Sequence, residues 1–325
     1  MMKCQAQGPG CREARYYQDI AGRGAENRIG LFPGQLSGAI LSGFNSFTMP
    51  RQQTEYLTGD PSIVWATSID QSYRIQDQPG GQNGTALQSY TAGQRLSENW
   101  NAYPLHPTPY VNLLGAANPF PVLPSASRAG NTLTLAVAPF GDNQPGHNGN
   151  GYSAGTFQLD VNGTKADGGP LPPGADGLDT GVRLPAAAAD LKLTVTASRR
   201  GKDYPLSPRT KTVWTWRSVP RPHAMLPDGW ECAGSPVAGP PLRDCVVQPM
   251  MTLDYDVAGM GLNGTTASGR QLIRLSAGHL QLAPATKITR LTALVSFDGG
   301  KTWHAAHVAG GSISETITDA YRAGS

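Results

Sequence analysis

The chain has 325 residues, and its 26 lysines and arginines against 23 aspartates and glutamates give a net charge of +3, which excludes an overall electrostatic attraction to nucleic acid or an anionic membrane. Charged residues make up only 15 % of the sequence, whereas 40 glycines and 27 prolines favour a turn-dense β protein. No apolar run reaches the roughly 20 residues of a membrane-spanning helix, and the first residues lack the apolar stretch of a signal peptide.

Residues 1–45 are glycine-rich and weakly patterned, so we expect an irregular lead-in or the truncated edge of something larger. Cys4 and Cys11 form one local pair of cysteines, and Cys232 and Cys245 form a second. No Cys-x2-Cys spacing or cysteine-histidine cluster of the zinc type is present. We therefore prefer disulfides over a metal site, with unrelated buried thiols as the alternative. A bridge would imply an oxidising compartment.

Residues 46–219 contain short segments that alternate polar and apolar side chains and are rich in β-branched residues. These strand candidates cover residues 62–66, 131–137, 155–161, 190–196 and 211–216. Turn clusters separate them, and no segment keeps the apolar spacing of a helix for three turns. The pattern predicts an all-β fold of antiparallel β-sandwiches, of jelly-roll or immunoglobulin/fibronectin-like type, with few short helices.

A proline-dense stretch at residues 218–223 separates this run from a second run of strand signals. The second run covers residues 250–256, 271–275 and 288–297. Since the length suggests two domains, we place their boundary between residues 219 and 220. We expect a first β-sandwich domain over 46–219 and a second, immunoglobulin- or fibronectin-like β-sandwich over 220–325.

Three short segments echo the catalytic motifs of subtilisin-like serine peptidases. Residues 179–182 resemble the aspartate motif, residues 304–310 the histidine motif, and residues 263–268 the nucleophile segment. That family carries its aspartate, histidine and serine in this order, whereas here the serine-like segment precedes the histidines. The histidine also needs a helix and a parallel sheet, which this pattern does not predict. We expect no working triad, and a decayed protease is a disfavoured alternative.

The segment 296–303 fits the S-x-D-x-G-x-T-W pattern of the Asp-box. The pattern predicts a structural hairpin in which the glycines supply positive φ, Asp298 accepts backbone N–H groups and Trp303 folds its ring onto the turn. The residues of this hairpin are Ser296, Asp298, Gly300, Thr302 and Trp303. Sialidases and other propellers carry one copy per blade, but this chain has one copy and no blade periodicity. A sialidase-like hydrolase is therefore disfavoured.

The loop at residues 142–151 is polar and glycine-rich, and its oxygen atoms can ligate calcium. Asp142 and Asn143 are the calcium candidates. The EF-hand spacing is absent and the loop holds one carboxylate, so a solvated loop without a metal is the preferred interpretation. Four aromatic residues are candidates for a sugar-stacking face, although core positions are the commoner use of such residues in sandwiches. They are Trp65, Trp100, Tyr103 and Tyr110.

Five collinear segments carry the family signal of this sequence, and they cover residues 49–58, 89–100, 209–216, 251–256 and 294–303. Together they resemble the non-catalytic C-terminal region of large secreted subtilisin-family serine peptidases of high-GC Gram-positive bacteria. The resemblance implies an extracellular, cofactor-free accessory region that is covalently preceded by a protease domain and holds none of its catalytic residues. It also suggests a fragment or a mis-called start, and a missing hairpin near residue 311.

The leading hypothesis is thus a non-catalytic module that stabilises, spaces or presents a secreted subtilisin-like peptidase. Its substrate would be a protein or a polysaccharide, with no nucleic acid and no membrane span. The alternative is a carbohydrate- or cell-surface-binding β-sandwich. The first hypothesis predicts buried tryptophans, the alternative predicts a coplanar pair of exposed aromatic rings, and an enzyme would need a pocket that joins an acid, a base and a nucleophile.

Overall fold

The computed structural model describes residues 10–16, 24–33, 41–57, 59, 63–71, 81–84, 90–102, 104–110, 122–142, 144, 146, 147, 149, 154–171, 178–199, 204, 206–235, 240–266, 272–284 and 286–306. For residues 10, 24–33, 41–48, 63–71 and 81–84 the description is of the backbone. These residues form twenty β-strands and no helix, so the prediction of an all-β fold is confirmed. It follows that none of them belongs to a helix with the length and apolar character that crossing a membrane requires.

The chain order of the strands gives the framework of the fold. In chain order they are β1 (Gly10–Tyr16), β2 (Gly24–Pro33), β3 (Leu41–Thr48), β4 (Arg51–Leu57), β5 (Ile63–Gln71), β6 (Gly81–Gly84), β7 (Arg95–Trp100), β8 (His106–Pro109), β9 (Ala126–Ala129), β10 (Thr132–Gly141), β11 (Ala154–Val161), β12 (Thr164–Pro170), β13 (Leu178–Arg183), β14 (Ala189–Ser198), β15 (Arg209–Ser218), β16 (Val246–Val247), β17 (Met251–Val257), β18 (Ile273–His279), β19 (Leu294–Val295) and β20 (His304–Ala305). All of the strand pairings are antiparallel except that of β1 with β7.

Two sheets form a β-sandwich. One has the strand order β13-β10-β9-β16, with β8 also paired to β10, and the other has the order β12-β11-β14-β15. The core between them combines Leu133 and Leu135 of β10 with Leu191 and Leu193 of β14. Along β14 these buried leucines alternate with exposed polar residues, because successive side chains of a strand point to opposite faces.

Two tryptophans on β15 close this core, and each indole N–H has a partner. Trp214 donates to the carbonyl oxygen of Met251 at 3.0 Å, and Trp216 donates to Oε1 of Gln248 at 3.2 Å. Both side chains are buried in the same cluster. Met251 and Gln248 lie after residue 219, so residues from both sides of the predicted domain boundary contribute to one hydrophobic core. The boundary itself stays a prediction.

The first 45 residues differ from the expected irregular lead-in, since they contain β1, β2 and the first part of β3. β1 is the central strand of a three-stranded sheet with the order β4-β1-β7. It lacks a run of apolar residues because the side chains that it buries include Arg12 and Tyr16. β2 belongs to a separate antiparallel sheet with the order β3-β2-β5-β6.

Beyond residue 250 the described strands form two ribbons, β17-β18 and β19-β20. Leu294, Phe297 and Trp303, on and beside the second ribbon, are exposed. The predicted second sandwich over 220–325 stays a prediction, and the expected missing hairpin near residue 311 lies outside the described residues.

The disulfide between Cys232 and Cys245 is confirmed, with the two Cα atoms 6.0 Å apart. Both half-cystines belong to the hydrophobic core of the sandwich, so the bridge ties the loop between them to that core. Cys11 is buried in β1 and is disulfide-bonded, whereas Cys4 lies outside the described residues.

Candidate functional site

The three segments that echo a subtilisin triad lie on separate elements. Asp179 is exposed on β13, where it is opposite Ala136 of β10. His304 is exposed on β20, in a different sheet. In the nucleophile-like segment, Asn263 caps a turn by accepting hydrogen bonds from the N–H and hydroxyl of Thr265. Ser268 and His307 lie outside the described residues, and no described contact joins Asp179 to His304.

The Asp-box forms a hairpin turn in which Asp298 is the hub. One oxygen of its carboxylate accepts the backbone N–H groups of Lys301 at 3.0 Å and Thr302 at 2.9 Å, and the other accepts the Thr302 hydroxyl. These bonds, first those from Thr302, lower the pKa of Asp298 to about 2. The Ser296 hydroxyl donates to Asp298, and the indole N–H of Trp303 donates to the carbonyl oxygen of Gly300. All of these bonds are internal to the hairpin.

Of the two calcium candidates, the structure describes Asp142 alone. Asp142 is buried, and donors surround its carboxylate, while Asn143 lies outside the described residues. The backbone N–H groups of Asn101 and Gln144 donate to it at 2.8 and 3.0 Å. Among the described residues, no cluster of three or more histidine, cysteine, aspartate or glutamate side chains has the geometry of a metal site.

Among the aromatic candidates whose side chains the structure describes, one is a core residue. Trp100 is buried, and Tyr110 is half-buried. Tyr103 and the side chain of Trp65 lie outside the described residues. With Trp214, Trp216 and Trp230, four tryptophans are buried.

Among the described residues, several ionisable side chains form a buried chain in which positive and negative charges alternate. We call it the charge chain, and its members are Tyr16, Glu55, Arg12, Glu98, His147 and Asp142. It begins in the sheet β4-β1-β7, where Arg12 of β1 lies directly opposite Glu55 of β4. The guanidinium Nε donates to Oε2 of Glu55 at 2.8 Å, and Nη2 donates to the same oxygen. The Tyr16 hydroxyl donates to the other oxygen of Glu55.

Glu98 carries the charge chain across to β7. Its Oε2 lies 2.9 Å from Nη1 of Arg12 and accepts the indole N–H of Trp100 at 3.1 Å. Its Oε1 lies 3.8 Å from Nε2 of His147, which is an ion-pair distance rather than a hydrogen bond. One carboxylate thus joins a cation of the three-stranded sheet to a cation of the loop that follows β10.

His147 and Asp142 end the charge chain at the sandwich. Nδ1 of His147 donates to both carboxylate oxygens of Asp142, at 2.9 and 3.0 Å. Asp142 in turn accepts the backbone N–H of Asn101, which directly follows β7. The loop after β10 and the end of β7 are therefore fastened to each other by one buried carboxylate.

The electrostatics favour the charged forms of His147, Glu98 and Arg12. Burial alone would lower the pKa of His147, but Asp142 and Glu98 outweigh it and raise the value to about 9. Burial alone would raise the pKa of Glu98, but Arg12 and His147 hold it below its ordinary value. Burial also opposes the charge of Arg12, and Glu98 and Glu55 nevertheless raise its pKa. Each cation therefore lies between two carboxylates and is charged at neutral pH.

A further carboxyl group lies near the end of the charge chain. Burial and then the negative charge of Asp142 raise the pKa of Asp254, on β17, to about 7. A second buried negative charge beside Asp142 would be repelled, and Asp254 therefore keeps its proton to a higher pH than an exposed aspartate does.

The charge chain is closed to substrates. The side chains of His147 and Asp142 have no exposed surface, and that of Arg12 is 1 % exposed. A perturbed Asp-His pair in a cleft would be a candidate acid-base site, but this pair is sealed within the protein. The role that these contacts support is structural, because the charge chain holds β1, β4 and β7 against the loop that follows β10.

Sequence reasoning missed the charge chain because its members are spread from residue 12 to residue 147. The sequence carries one local signal of it, because β1, β4 and β7 each contain charged residues within a short extended segment. Asp142 is a disfavoured calcium candidate in a loop that the sequence predicts to be solvated, and that prediction is wrong for Asp142 and His147, which are buried and paired with each other. No protein-family model matches this chain, and no curated protein matches it either.

Proposed function

We propose that this chain is the non-catalytic accessory region of a secreted subtilisin-family serine peptidase, in which it stabilises or presents the protease domain. The observation that carries the proposal is where the five collinear segments lie. They contain β4, β7, the inward tryptophans of β15, most of β17 and the Asp-box hairpin. The resemblance therefore falls on residues that build the fold.

The charge chain adds support to the proposal. Glu55 and Glu98, the two carboxylates that flank Arg12, lie within the segments at 49–58 and 89–100. A resemblance confined to surface loops would not include the buried partners of one arginine. The proposal extends to the finer fold, with a second sandwich of immunoglobulin- or fibronectin-like type over 220–325, and to an extracellular location, which suits the disulfide between Cys232 and Cys245.

Mass spectrometry of size-fractionated culture medium from a high-GC Gram-positive bacterium that encodes this chain tests the proposal. Peptides of this chain and of a subtilisin-type domain are expected in one polypeptide, with both sets in the same high-mass fraction. Peptides of this chain alone, in a fraction of about its own mass, 34.3 kDa, would overturn it.

A second assay separates an accessory region from an enzyme. The recombinant chain is incubated with a fluorophosphonate probe, which labels activated serines, and with casein as a general protein substrate. We expect no labelling and no hydrolysis, and a Ser268→Ala variant is expected to behave identically. Labelling that the variant loses would show a working nucleophile and would contradict the proposal.

A second candidate function is the binding of a carbohydrate or a cell surface. The observation that favours it is the polar, exposed outer face of the sheet β12-β11-β14-β15. This candidate function does not depend on the pair of coplanar aromatic rings that the sequence analysis considered.

A further inference from the structure

The outer face of the sheet β12-β11-β14-β15 is uncovered and carries an excess of positive charge. Because the leucines of β14 and the tryptophans of β15 point into the core, the residues between them point outward. On β15 this makes every second residue from Arg209 to Arg217 exposed. The cations of this face are Lys165, Lys192, Arg209, Lys211 and Arg217, and its carboxylates are Asp160 and Asp190. We call this surface the basic face.

Most of these cations have no carboxylate partner. Arg217 is paired with Asp190 at 2.8 Å. Asp160 lies in one cross-strand row between Lys165 and Lys192, and its Oδ1 accepts a hydrogen bond from Gln158 at 2.7 Å. Within the described chain, no ion pair involves Lys165, Lys192, Arg209 or Lys211. The basic face therefore presents an uncompensated positive field to solvent.

The opposite sheet of the sandwich does not share this charge. Among the described residues of β8, β9, β10, β13 and β16, the exposed charged side chains are Asp179 and Arg183, which balance each other. The other arginine of those strands, Arg128, is buried and donates to the carbonyl oxygens of Gly130 and Pro185. Within the described sandwich, the excess positive charge thus belongs to one of its two outer faces.

An open groove of about 490 Å³ lies at one end of the basic face. Asp160, Lys192 and Thr215 form one row across three strands of this groove, and Asp190 lies beside them. Carboxylates accept hydrogen bonds, an ammonium group donates them and a hydroxyl does both. A ligand that carries many hydroxyl groups can satisfy all of these side chains at once.

The cations outside the groove extend this surface along the strands. Lys211 is four residues from Thr215 on β15, and Thr215 is opposite Lys192. Strand geometry therefore separates the Cα atoms of Lys192 and Lys211 by roughly 14 Å, and Arg209 lies roughly 7 Å further along β15. A diagonal of positive charge crosses the sheet from Lys165 to Arg209, which suits an extended polymer better than a small molecule.

We propose that the basic face binds an acidic polysaccharide, whose hydroxyl groups occupy the groove while its anionic substituents contact Lys192, Lys211 and Arg209. A nucleic acid fits the surface less well. Single-stranded nucleic acids stack their bases on aromatic side chains, and the exposed large hydrophobic residue of these four strands is Val213. Asp160 and Asp190 can accept sugar hydroxyls, of which a nucleotide within a strand offers at most one. This inference does not rest on the peptidase proposal, since it concerns the isolated chain.

Fluorescence anisotropy with labelled oligogalacturonate, an acidic sugar polymer, tests the inference at 25 mM NaCl. Charge reversal of Lys192→Glu together with Lys211→Glu is expected to weaken binding at least tenfold. The matched control reverses two exposed cations away from the basic face, Arg183→Glu and Arg290→Glu, and changes the net charge equally. It is expected to change the affinity less than twofold. Raising NaCl to 300 mM is expected to weaken wild-type binding at least tenfold, because screening removes the attraction.

A further variant keeps the test independent of folding. Thr215→Lys adds a cation to the groove and is expected to tighten binding two- to fivefold, so a gain is measured even if the charge reversal fails to fold. Absence of binding at 25 mM NaCl would overturn the inference. Equal weakening by the control pair would also overturn it, as would equal binding of uncharged dextran. Tighter binding of a single-stranded DNA of the same charge would assign the basic face to nucleic acid instead.

Discussion

The imidazole of His147 stacks on the indole of Trp100, with their ring centroids 3.7 Å apart and their planes inclined by 15°. Because Asp142 and Glu98 keep His147 protonated, this contact places a cation over an aromatic face inside the protein. The stack joins the last residue of β7 to the loop after β10. It therefore packs the same two segments that the charge chain holds together electrostatically.

Replacement of His147 tests the electrostatic part of this contact. The pKa of His147 is about 9 in the folded protein and 6.5 in an unfolded chain, so its charge stabilises the fold fully below pH 6.5 and loses this effect as the pH rises through 9. The free energy of unfolding of the wild type, minus that of His147→Gln, should fall by about 3 kcal/mol from pH 6 to pH 9.5. Urea denaturation at both pH values measures it, and a constant difference would show that the histidine titrates normally.

Asp254 should give a pH effect at lower pH. Its pKa is about 7 in the folded protein against an ordinary 3.8, so folding favours the protonated carboxyl group. The stabilisation that results is complete below pH 3.8 and is lost as the pH rises through 7. Asp254→Asn cannot ionise, and it should gain roughly 3 to 5 kcal/mol relative to the wild type between pH 4 and pH 8. Thermal melts across this range measure the gain. Asp256→Asn, at an exposed neighbour on the same strand, is the matched control, and an equal gain in that variant would contradict the assignment to Asp254.

Removal of one partner of the Arg12–Glu55 ion pair should lower the free energy of unfolding strongly. Replacement of both partners should lower it by less than the two single changes together. Arg12→Met leaves two buried carboxylates without their cation, and it should lower the free energy of unfolding by about 3 to 5 kcal/mol. Adding Glu55→Met should cost less than the sum of the single changes, because one uncompensated charge disappears.

A surface pair is the control for that cycle. Arg274 and Asp256 are 2.8 Å apart with side chains 65 % and 64 % exposed. Their cycle should give a coupling energy below about 1 kcal/mol in urea denaturation. Equal coupling energies for the two pairs would contradict the burial of the charge chain.

The disulfide should matter for stability. It closes a loop between residues 13 positions apart, and a loop of that size corresponds to about 3 kcal/mol of unfolded-state entropy. Cys232→Ala with Cys245→Ala should lower the midpoint of thermal unfolding, and a reducing agent should lower that of the wild type at least as much, because it also reduces the disulfide of Cys11. A midpoint that neither treatment moves would mean that packing alone holds this loop.

The Asp-box should respond locally. Asp298→Ala removes the acceptor of the N–H groups of Lys301 and Thr302, so amide hydrogen exchange there should accelerate at least tenfold while the sandwich core stays protected. Since the pKa of Asp298 is about 2, the wild-type hairpin should keep its protection down to about pH 3. Loss of protection throughout the sandwich in this variant would show that the hairpin supports the whole fold.

The strands of the sandwich could be predicted because their alternation is visible in the sequence. Leu191, Leu193 and Val195 point inward on β14, and the segment 190–196 was read as a strand for that reason. The sheet β4-β1-β7 could not be predicted in the same way, since the inward position of Arg12 carries the charge that usually marks a surface. Its burial depends on Glu55 and Glu98, which are distant in sequence.

The site was predictable in part. The Asp-box follows a local pattern, and its hydrogen bonds span at most four residues. The pairing of His147 with Asp142 spans five residues within a loop, and no strand or helix period marks it. Glu98 completes that cluster from another element, and this contact depends on the tertiary fold.

The parallel pairing of β1 with β7 has a consequence for synthesis. Cys11 lies opposite Arg95, so about 80 residues must be translated after β1 before its neighbour exists, and at roughly 5 to 20 residues per second this takes about 4 to 16 s. During that time the guanidinium of Arg12 has no Glu98 to meet. In a nascent chain, β1 is therefore a polar strand without its parallel neighbour β7 during this interval. Slower or faster translation between β1 and β7 should change the fraction of chains in which the two strands pair correctly.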